Sequence, residues 1–228
     1  MKKILHILRR KNAEAKPYWE DFTYETTDEG ATVATALAST PVVWEHSCLQ
    51  RRCGACAMVI NKTPALACNT RLSEISTDVI QLEPLRKFPV IEDLLVDRSV
   101  MMQNLRRLSV WLEEEARTGS EEMAFEAARC LQCGLCLEVC PNFAAGGAFA
   151  GMAAMAPMSR LIARLSEGER KRIARAYQKG VHSGCGKSLA CRDICPAQLP
   201  IEELLVRSNA ACVWKRWKTA GSFTSVGD

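Results

Sequence analysis

Eleven of the twelve cysteines in this 228-residue chain fall into three arrays of closely spaced residues. The first array, C-x4-C-x2-C-x11-C, consists of Cys48, Cys53, Cys56 and Cys68. The second, C-x2-C-x2-C-x3-C-P, consists of Cys130, Cys133, Cys136, Cys140 and Pro141. The third, C-x5-C-x3-C-P, consists of Cys185, Cys191, Cys195 and Pro196. Thiolates at such spacings hold iron–sulfur clusters, so the sequence predicts a chain that conducts electrons.

The first two arrays differ in the type of cluster that their spacing indicates. The first has the plant-type spacing, which we interpret as a 2Fe-2S site, and Gly54 and Ala55 let the backbone approach the cluster closely. The second has the bacterial spacing, in which the fourth cysteine ligates the other cluster of the pair. By that rule, the predicted ligands of a 4Fe-4S cluster are Cys130, Cys133, Cys136 and Cys195.

The remaining site has three thiolates, from Cys140, Cys185 and Cys191. A symmetric two-cluster pattern would place a fourth cysteine at position 188, where this chain has Ser188. Three thiolates predict a 3Fe-4S cluster; the alternative is a 4Fe-4S cluster completed by the Ser188 hydroxyl. The twelfth cysteine, Cys212, is predicted to be a buried and inert side chain.

Composition limits the other classes of function. Hydrophobic residues make up 48% of the chain and the formal net charge is +4. No basic run with interleaved aromatic residues indicates nucleic-acid binding, and no apolar run reaches the roughly 18–20 residues that span a bilayer. Cysteines that hold iron must be reduced thiols, which indicates that the protein lies in the cytosol or on the inner face of a membrane. A zinc-stabilised interaction protein is the alternative from another class, although seven interlocked cysteines suit zinc poorly.

Hydrophobic patterns divide the chain into two modules, residues 1–100 and 101–228. In the first, strands are predicted at 4–8, 19–26, 57–60 and 79–82, with one helix at 31–39, which together indicate a mixed sheet covered by a helix. In the second, helices are predicted at 101–117, at 120–128 and from a capping box at Ser166 to Gly180. A last helix is predicted from Pro200 to about Trp217.

The chain resembles the iron–sulfur subunit of succinate dehydrogenase and fumarate reductase complexes. The matching segments are SC at 47–48, CGACAM at 53–58, LACNT at 66–70 and FPVIEDL at 88–94, together with the order of all three arrays. The resemblance implies an α+β fold: an N-terminal β-grasp 2Fe-2S ferredoxin domain, then an all-α C-terminal domain of bacterial two-cluster ferredoxin type.

The resemblance also implies partners and a path for electrons. The path would run from a flavoprotein with FAD, which handles succinate or fumarate, through the 2Fe-2S, 4Fe-4S and 3Fe-4S clusters to a quinone. A membrane-anchor subunit of cytochrome b type would bind that quinone, and this chain would lie peripherally on the cytoplasmic face of the inner (plasma) membrane. Dicarboxylate chemistry would belong to the flavoprotein, so no catalytic residue is expected on this chain.

One departure keeps a second acceptor open. Many relatives carry paired tryptophans after the Cys-Pro that closes the second array, whereas Pro141 is followed here by Asn142, Phe143 and Ala144. A soluble or non-quinone flavin oxidoreductase, for example a thiol-linked one, is therefore the alternative. His182 is a candidate neighbour of a quinone or a cluster. Residues 214–218 indicate either a membrane-interface segment or the end of an amphipathic helix.

Overall fold

The computed structural model describes residues 1–109, 121–165 and 167–214. Within these segments the strands are β1 (Lys2–Arg9), β2 (Tyr18–Glu25), β3 (Ala57–Ile60), β4 (Thr63–Leu66), β5 (Val79–Glu83), β6 (Val90–Glu92) and β7 (Leu95–Val96). The helices are α1 (Val33–Leu37), α2 (Ser99–Arg107), α3 (Glu121–Ala128), α4 (Leu135–Glu138), α5 (Met152–Arg164), α6 (Glu167–Gly180), α7 (Ala190–Asp193) and α8 (Ile201–Asn209). Short 3-10 turns lie at Ala67–Asn69, Leu72–Glu74 and His182–Gly184, and a π-helical turn at Ala210–Trp214.

The N-terminal half is a mixed sheet with one helix on its face. The strand order is β2-β1-β5-β3-β4, and β1 pairs antiparallel with β2 but parallel with β5. Because successive side chains of a strand point to opposite faces, Leu5 and Ile7 of β1 lie on the same face, and both are fully buried. Val33 and Leu37 of α1 belong to the same core. This β-grasp arrangement confirms the predicted fold of the N-terminal half.

Helix α1 is shorter than the predicted helix at 31–39. It begins with a capping box in which Thr32 and Thr35 exchange hydrogen bonds between side chain and backbone. It ends at Leu37, where the hydroxyl of Thr40 donates to the Leu37 carbonyl at 2.8 Å. The segment that follows this end of the helix leads to Cys48.

Strand β4 was not predicted from the sequence, and it contains Pro64. A proline removes a backbone donor and is tolerated in a sheet mainly on an edge strand, which is where β4 lies. The turn before it places Asn61 and Lys62 in the left-handed region, at φ 46° and 68°, as tight hairpins require. This hairpin leads the chain back toward the first cysteine array.

The C-terminal half is helical, and α5 lies at its centre against α3 and α8. Met155, Ala156 and Met158 of α5 are all buried, so the small and flexible apolar side chains of α5 serve core packing, whereas residues 144–148 before it are exposed. Helix α6 ends at Gly180 as predicted. Across the described residues, no helix combines the length and the apolarity needed to cross a membrane.

The predicted helix at 101–117 is observed only in part. Helix α2 ends at Arg107, and Ser109 follows with φ 53°, outside helical geometry. Residues 110–117 of that prediction lie outside the described residues. So do Ser166 of the predicted capping box and residues 215–218, which include the predicted end of the last helix at Trp217.

The hydrophobic core of the sheet continues into the helical half. Phe88 and Phe143 pack with ring centroids 6.1 Å apart, and Leu135 and Leu137 of α4 belong to the same core as the sheet. The division near residue 100 stays a prediction, and α2, which begins there, contributes Met101 to this core. The two halves pack directly, and the cysteine loops of both lie near this junction.

Candidate iron–sulfur sites

The loop between α1 and β3 carries three cysteines of the first array. Its backbone is wound by left-handed residues with φ between 52° and 74°, which are Leu49, Arg51 and Gly54. This winding turns backbone N–H groups toward sulfur atoms. The N–H groups of Gln50 and Arg52 each donate to Cys48 Sγ at 3.3 Å, and that of Ala55 donates to Cys53 Sγ at 3.5 Å.

The fourth cysteine of the first array arrives from the β3–β4 hairpin. Cys68 lies in the 3-10 turn directly after β4, and its Sγ accepts a hydrogen bond from the N–H of Arg51 at 3.3 Å. The Ala67 N–H donates to the Cys56 carbonyl at 3.0 Å, which ties this turn to the loop. The structure therefore brings together all four predicted ligands of the first site.

The thiols of the first site differ in acidity for local reasons. Hydrogen bonds from the N–H groups of Gln50 and Arg52 lower the pKa of Cys48 to about 7. Burial raises the pKa of Cys56 to about 12, because a charged thiolate is costly away from water. The N–H groups around the loop favour bound thiolates, which is the form that holds iron.

Two cavities in the helical half are lined by the other predicted ligands. The cavity of the second site is lined by Leu131, Ala153 and Pro196 and by the thiols of Cys130, Cys133, Cys136 and Cys195. The cavity of the third site is lined by Met155, Ser188 and Leu189 and by the thiols of Cys136, Cys140, Cys185 and Cys191. The thiols surround each cavity at a distance: among the described residues, no three His, Cys, Asp or Glu side chains are close enough to hold a single metal ion.

The two cavity loops repeat the same backbone pattern. Around Cys133, the flanking residues Gln132 and Gly134 have φ 51° and 85°. Around Ser188, the flanking residues Lys187 and Leu189 have φ 55° and 58°. The short helices α4 and α7 follow, each with a cysteine at its second position, Cys136 and Cys191. Ser188 therefore occupies in its loop the position that Cys133 occupies in the other.

Burial at these cavities indicates what they can hold. It raises the pKa of Cys133 to about 11, and that of Cys191 likewise to about 11. The pKa of Cys136 lies well above its ordinary value for the same reason. Thiolates at such sites need a cationic centre to offset their desolvation, and iron supplies one. The donor set and its burial thus suit iron–sulfur clusters.

The three sites form a continuous row. A Cβ atom added to Gly54, in the first loop, would lie 2.6 Å from the Cβ atom of Cys133, in the second. Arg51 adds a second contact, since its Nη2 donates to the Pro196 carbonyl at 2.9 Å. Cys136 lines both cavities of the helical half and so joins the second site to the third.

Cys212 lies apart from this row, in the π-helical turn after α8. It is 1% exposed, and burial raises its pKa to about 11. We expect Cys212→Ala to leave the iron content unchanged while lowering the free energy of unfolding by about 1–3 kcal/mol, because a small buried side chain is lost. Iron analysis and denaturant unfolding of the variant measure both; a loss of iron would contradict the inert role.

Two residues near the sulfur atoms were not predicted from the sequence. Gln132 donates from Nε2 to Cys130 Sγ at 3.2 Å and to the Ala153 carbonyl at 2.9 Å. Arg98 donates to the backbone of both the first and the second loop. No spacing rule identifies either residue. His182, a predicted candidate, contributes its carbonyl, which accepts from the Cys185 N–H at 3.2 Å.

Known families match both halves of the chain. Residues 4–103 match a family of 2Fe-2S iron–sulfur cluster binding domains, and residues 126–199 match a family of 4Fe-4S dicluster domains. Because both families bind iron–sulfur clusters, we set aside the zinc-stabilised interaction protein.

Whole-chain comparisons extend the likeness. The succinate dehydrogenase iron–sulfur subunit of Bacillus subtilis is 29% identical, over 89% of this chain and 89% of its own length. The fumarate reductase iron–sulfur subunit of Wolinella succinogenes is 30% identical, over 70% of this chain and 72% of its own. A chain of the Mycobacterium smegmatis Sdh1 complex in the apo form shares the fold, with TM-score 0.77 and 23% identity over 94% of this chain and 97% of that one. The chain belongs to the family of iron–sulfur subunits of succinate dehydrogenase and fumarate reductase.

Proposed function

We propose that this chain carries electrons between a flavoprotein that handles succinate or fumarate and a quinone site in the membrane. The observation that supports this role most directly is the continuous row of three cysteine-lined sites. Gly54 against Cys133 joins the first to the second, and Cys136 joins the second to the third. Since electron transfer weakens steeply with distance, three adjoining sites suit a conductor.

The proposed ligands keep the assignment made from the sequence. The 2Fe-2S cluster is held by Cys48, Cys53, Cys56 and Cys68. The 4Fe-4S cluster is held by Cys130, Cys133, Cys136 and Cys195. The 3Fe-4S cluster is held by Cys140, Cys185 and Cys191. When bound, such clusters supply one-electron redox chemistry at potentials set by ligands, hydrogen bonds and solvent.

The side chains and backbone of this chain set the environment of the clusters and the access of electron donor and acceptor to them. N–H groups of the first loop stabilise charged sulfur, while apolar side chains such as Leu131 and Met155 line the cavities and exclude water. The first loop is open to solvent at Cys53, which gives a donor access to one end of the row. Ser188 is exposed at the other end, which gives the acceptor access there.

The family implies partners at the two ends. We assign the flavoprotein, with its FAD, to the first site, and a membrane-anchor subunit of cytochrome b type, with its quinone, to the third. The chain would then be peripheral, on the cytoplasmic face of the inner membrane. Two modules, residues 1–100 and 101–228, would correspond to the 2Fe-2S domain and the two-cluster domain.

A second acceptor is supported by the residues after Pro141. No tryptophan follows it directly, Phe143 is buried in the core, and the Asn142 side-chain amide donates to the Gly184 carbonyl at 2.7 Å. Both side chains therefore make contacts within this chain rather than with a bound quinone. A soluble, thiol-linked acceptor is therefore the alternative, and purification from membranes distinguishes the two: a quinone-binding subunit that co-purifies supports the first, and a soluble complex without one supports the second.

Iron content tests the clusters themselves. We expect anaerobically purified protein to be brown and to contain about nine iron atoms per chain. Cys68→Ala removes one ligand of the first site and should lower the content to about seven, whereas Cys212→Ala should not change it. Colourless protein without iron or sulfide after anaerobic reconstitution would refute the proposed function.

A further inference from the structure

Arg98 lies at the junction of the first two sites, immediately before α2. Its side chain is 12% exposed. Nη1 donates to the carbonyls of Gly54 at 3.0 Å and of Cys133 at 3.1 Å. Nη2 donates to the carbonyl of Ala55 at 2.9 Å and to the carboxylate of Glu45. The four N–H bonds of the two Nη atoms thus all have acceptors, and three of these acceptors are cluster-loop carbonyls.

The carbonyls that Arg98 binds belong to peptide groups whose N–H sides face the other way. The peptide that joins Gly54 to Ala55 accepts from Arg98 through its carbonyl and donates its N–H to Cys53 Sγ at 3.5 Å. A cation on the carbonyl fixes the peptide plane and polarises it, which strengthens the N–H as a donor. The peptides after Ala55 and Cys133 are anchored in the same way.

Its position also makes Arg98 a charge shared by two sites. Gly54 and Cys133 are in van der Waals contact, so the guanidinium that binds both carbonyls lies on the seam between the loops. Burial keeps solvent screening low at this place. Glu45, whose side chain is 47% exposed, is the charged partner that opposes it.

We propose that Arg98 is a positioning residue that raises the reduction potentials of the first and second clusters together and keeps their two loops in register. The proposal rests on the proposed function, because it presumes clusters at both sites. Reduction adds negative charge to a cluster. A nearby cation and stronger N–H donors therefore both favour the reduced form.

A purely structural role for Arg98 predicts something different. In that case its removal would lower stability or cluster loading, but clusters that do assemble would keep their potentials. The two roles are therefore separated by potentials measured on loaded protein. Iron content, measured first on the wild-type chain, shows whether clusters are present at all, so failure of the proposed function is recognised independently.

The test is an anaerobic redox titration of the full chain, monitored by low-temperature electron paramagnetic resonance. Arg98→Met should lower the ratio of reduced to oxidised form about tenfold at both clusters at a fixed potential, which is about 59 mV for a one-electron couple. Arg98→Lys keeps the charge but loses the planar guanidinium that reaches several carbonyls at once. Its potentials should therefore lie between those of Arg98→Met and the wild-type chain. Arg52→Met, which removes an exposed charge from the first loop alone, is the control and should leave the second cluster unchanged.

A milder variant covers the case in which Arg98→Met does not assemble its clusters. Glu45→Gln removes the opposing charge at a half-exposed position, so both potentials should rise, by about a twofold to fivefold change in the same ratio. The proposal is overturned if loaded Arg98→Met leaves either potential unchanged, or if Arg52→Met shifts both equally. When only Glu45→Gln is loaded, unchanged potentials overturn it.

Discussion

Ser188→Cys should convert the third site from a three-iron to a four-iron cluster. Ser188 lines the same cavity as Cys140, Cys185 and Cys191, and its flanking residues have the left-handed geometry that surrounds Cys133 in the neighbouring loop. A thiol at this position would supply the missing fourth ligand without a change in the backbone. We expect iron to rise by about one atom per chain and the paramagnetic signal of the oxidised three-iron cluster to disappear.

The control for this conversion is Ser183→Cys. Ser183 is exposed in the 3-10 turn before Cys185, and its hydroxyl donates to the Gln178 carbonyl at 2.7 Å, away from the cavity. A thiol there should leave the oxidised signal as it is. If Ser188→Cys also left it unchanged, the assignment of Cys185 and Cys191 would be wrong. Absence of the oxidised signal from the wild-type chain would favour a cluster completed by the Ser188 hydroxyl.

Gly54→Ala should disrupt the contact between the first and second sites. Gly54 has φ 74°, and an added Cβ would lie 2.6 Å from the Cys133 Cβ and 3.0 Å from both the Cys133 Cα and the Leu131 carbonyl oxygen. Backbone and Cβ atoms cannot move aside as a flexible side chain can. We expect a loss of about 2–4 kcal/mol, from overpacking and from the left-handed conformation together. Iron at the second site should fall as well.

Gly146→Ala is a matched control, because Gly146 has φ 81° but a Cβ there would meet nothing within 4 Å. It should therefore cost only the conformational part, about 1 kcal/mol. The guanidinium concentration at which cluster absorbance is half lost, measured without oxygen, compares the two variants. Equal midpoints would show that the two loops do not approach as closely as the structure places them.

The fold was predictable where local pattern decides it. Strand β1 was recognised because residues 4–8 form a short apolar run typical of a strand, and the end of α6 because Gly180 stops a helix. Strand β4 was missed because Pro64 is acceptable only at the edge of a sheet, and edge position depends on which strands pair. The end of α2 at Arg107 was missed because Leu108 and Leu112 continue the apolar period beyond it in the sequence.

The sequence by itself determined the iron–sulfur chemistry, because the ligands of one cluster come mostly from one loop. Cysteines a few residues apart in such a loop must lie close together in space. The sequence also identified Ser188 as the departure from a symmetric pair. Only the tertiary structure decided how the sites meet: that Gly54 lies on Cys133, that Cys136 lines two cavities, and that Arg98 binds both loops. These contacts join residues far apart in sequence, and such pairs leave no periodic signal because packing of the whole chain brings them together.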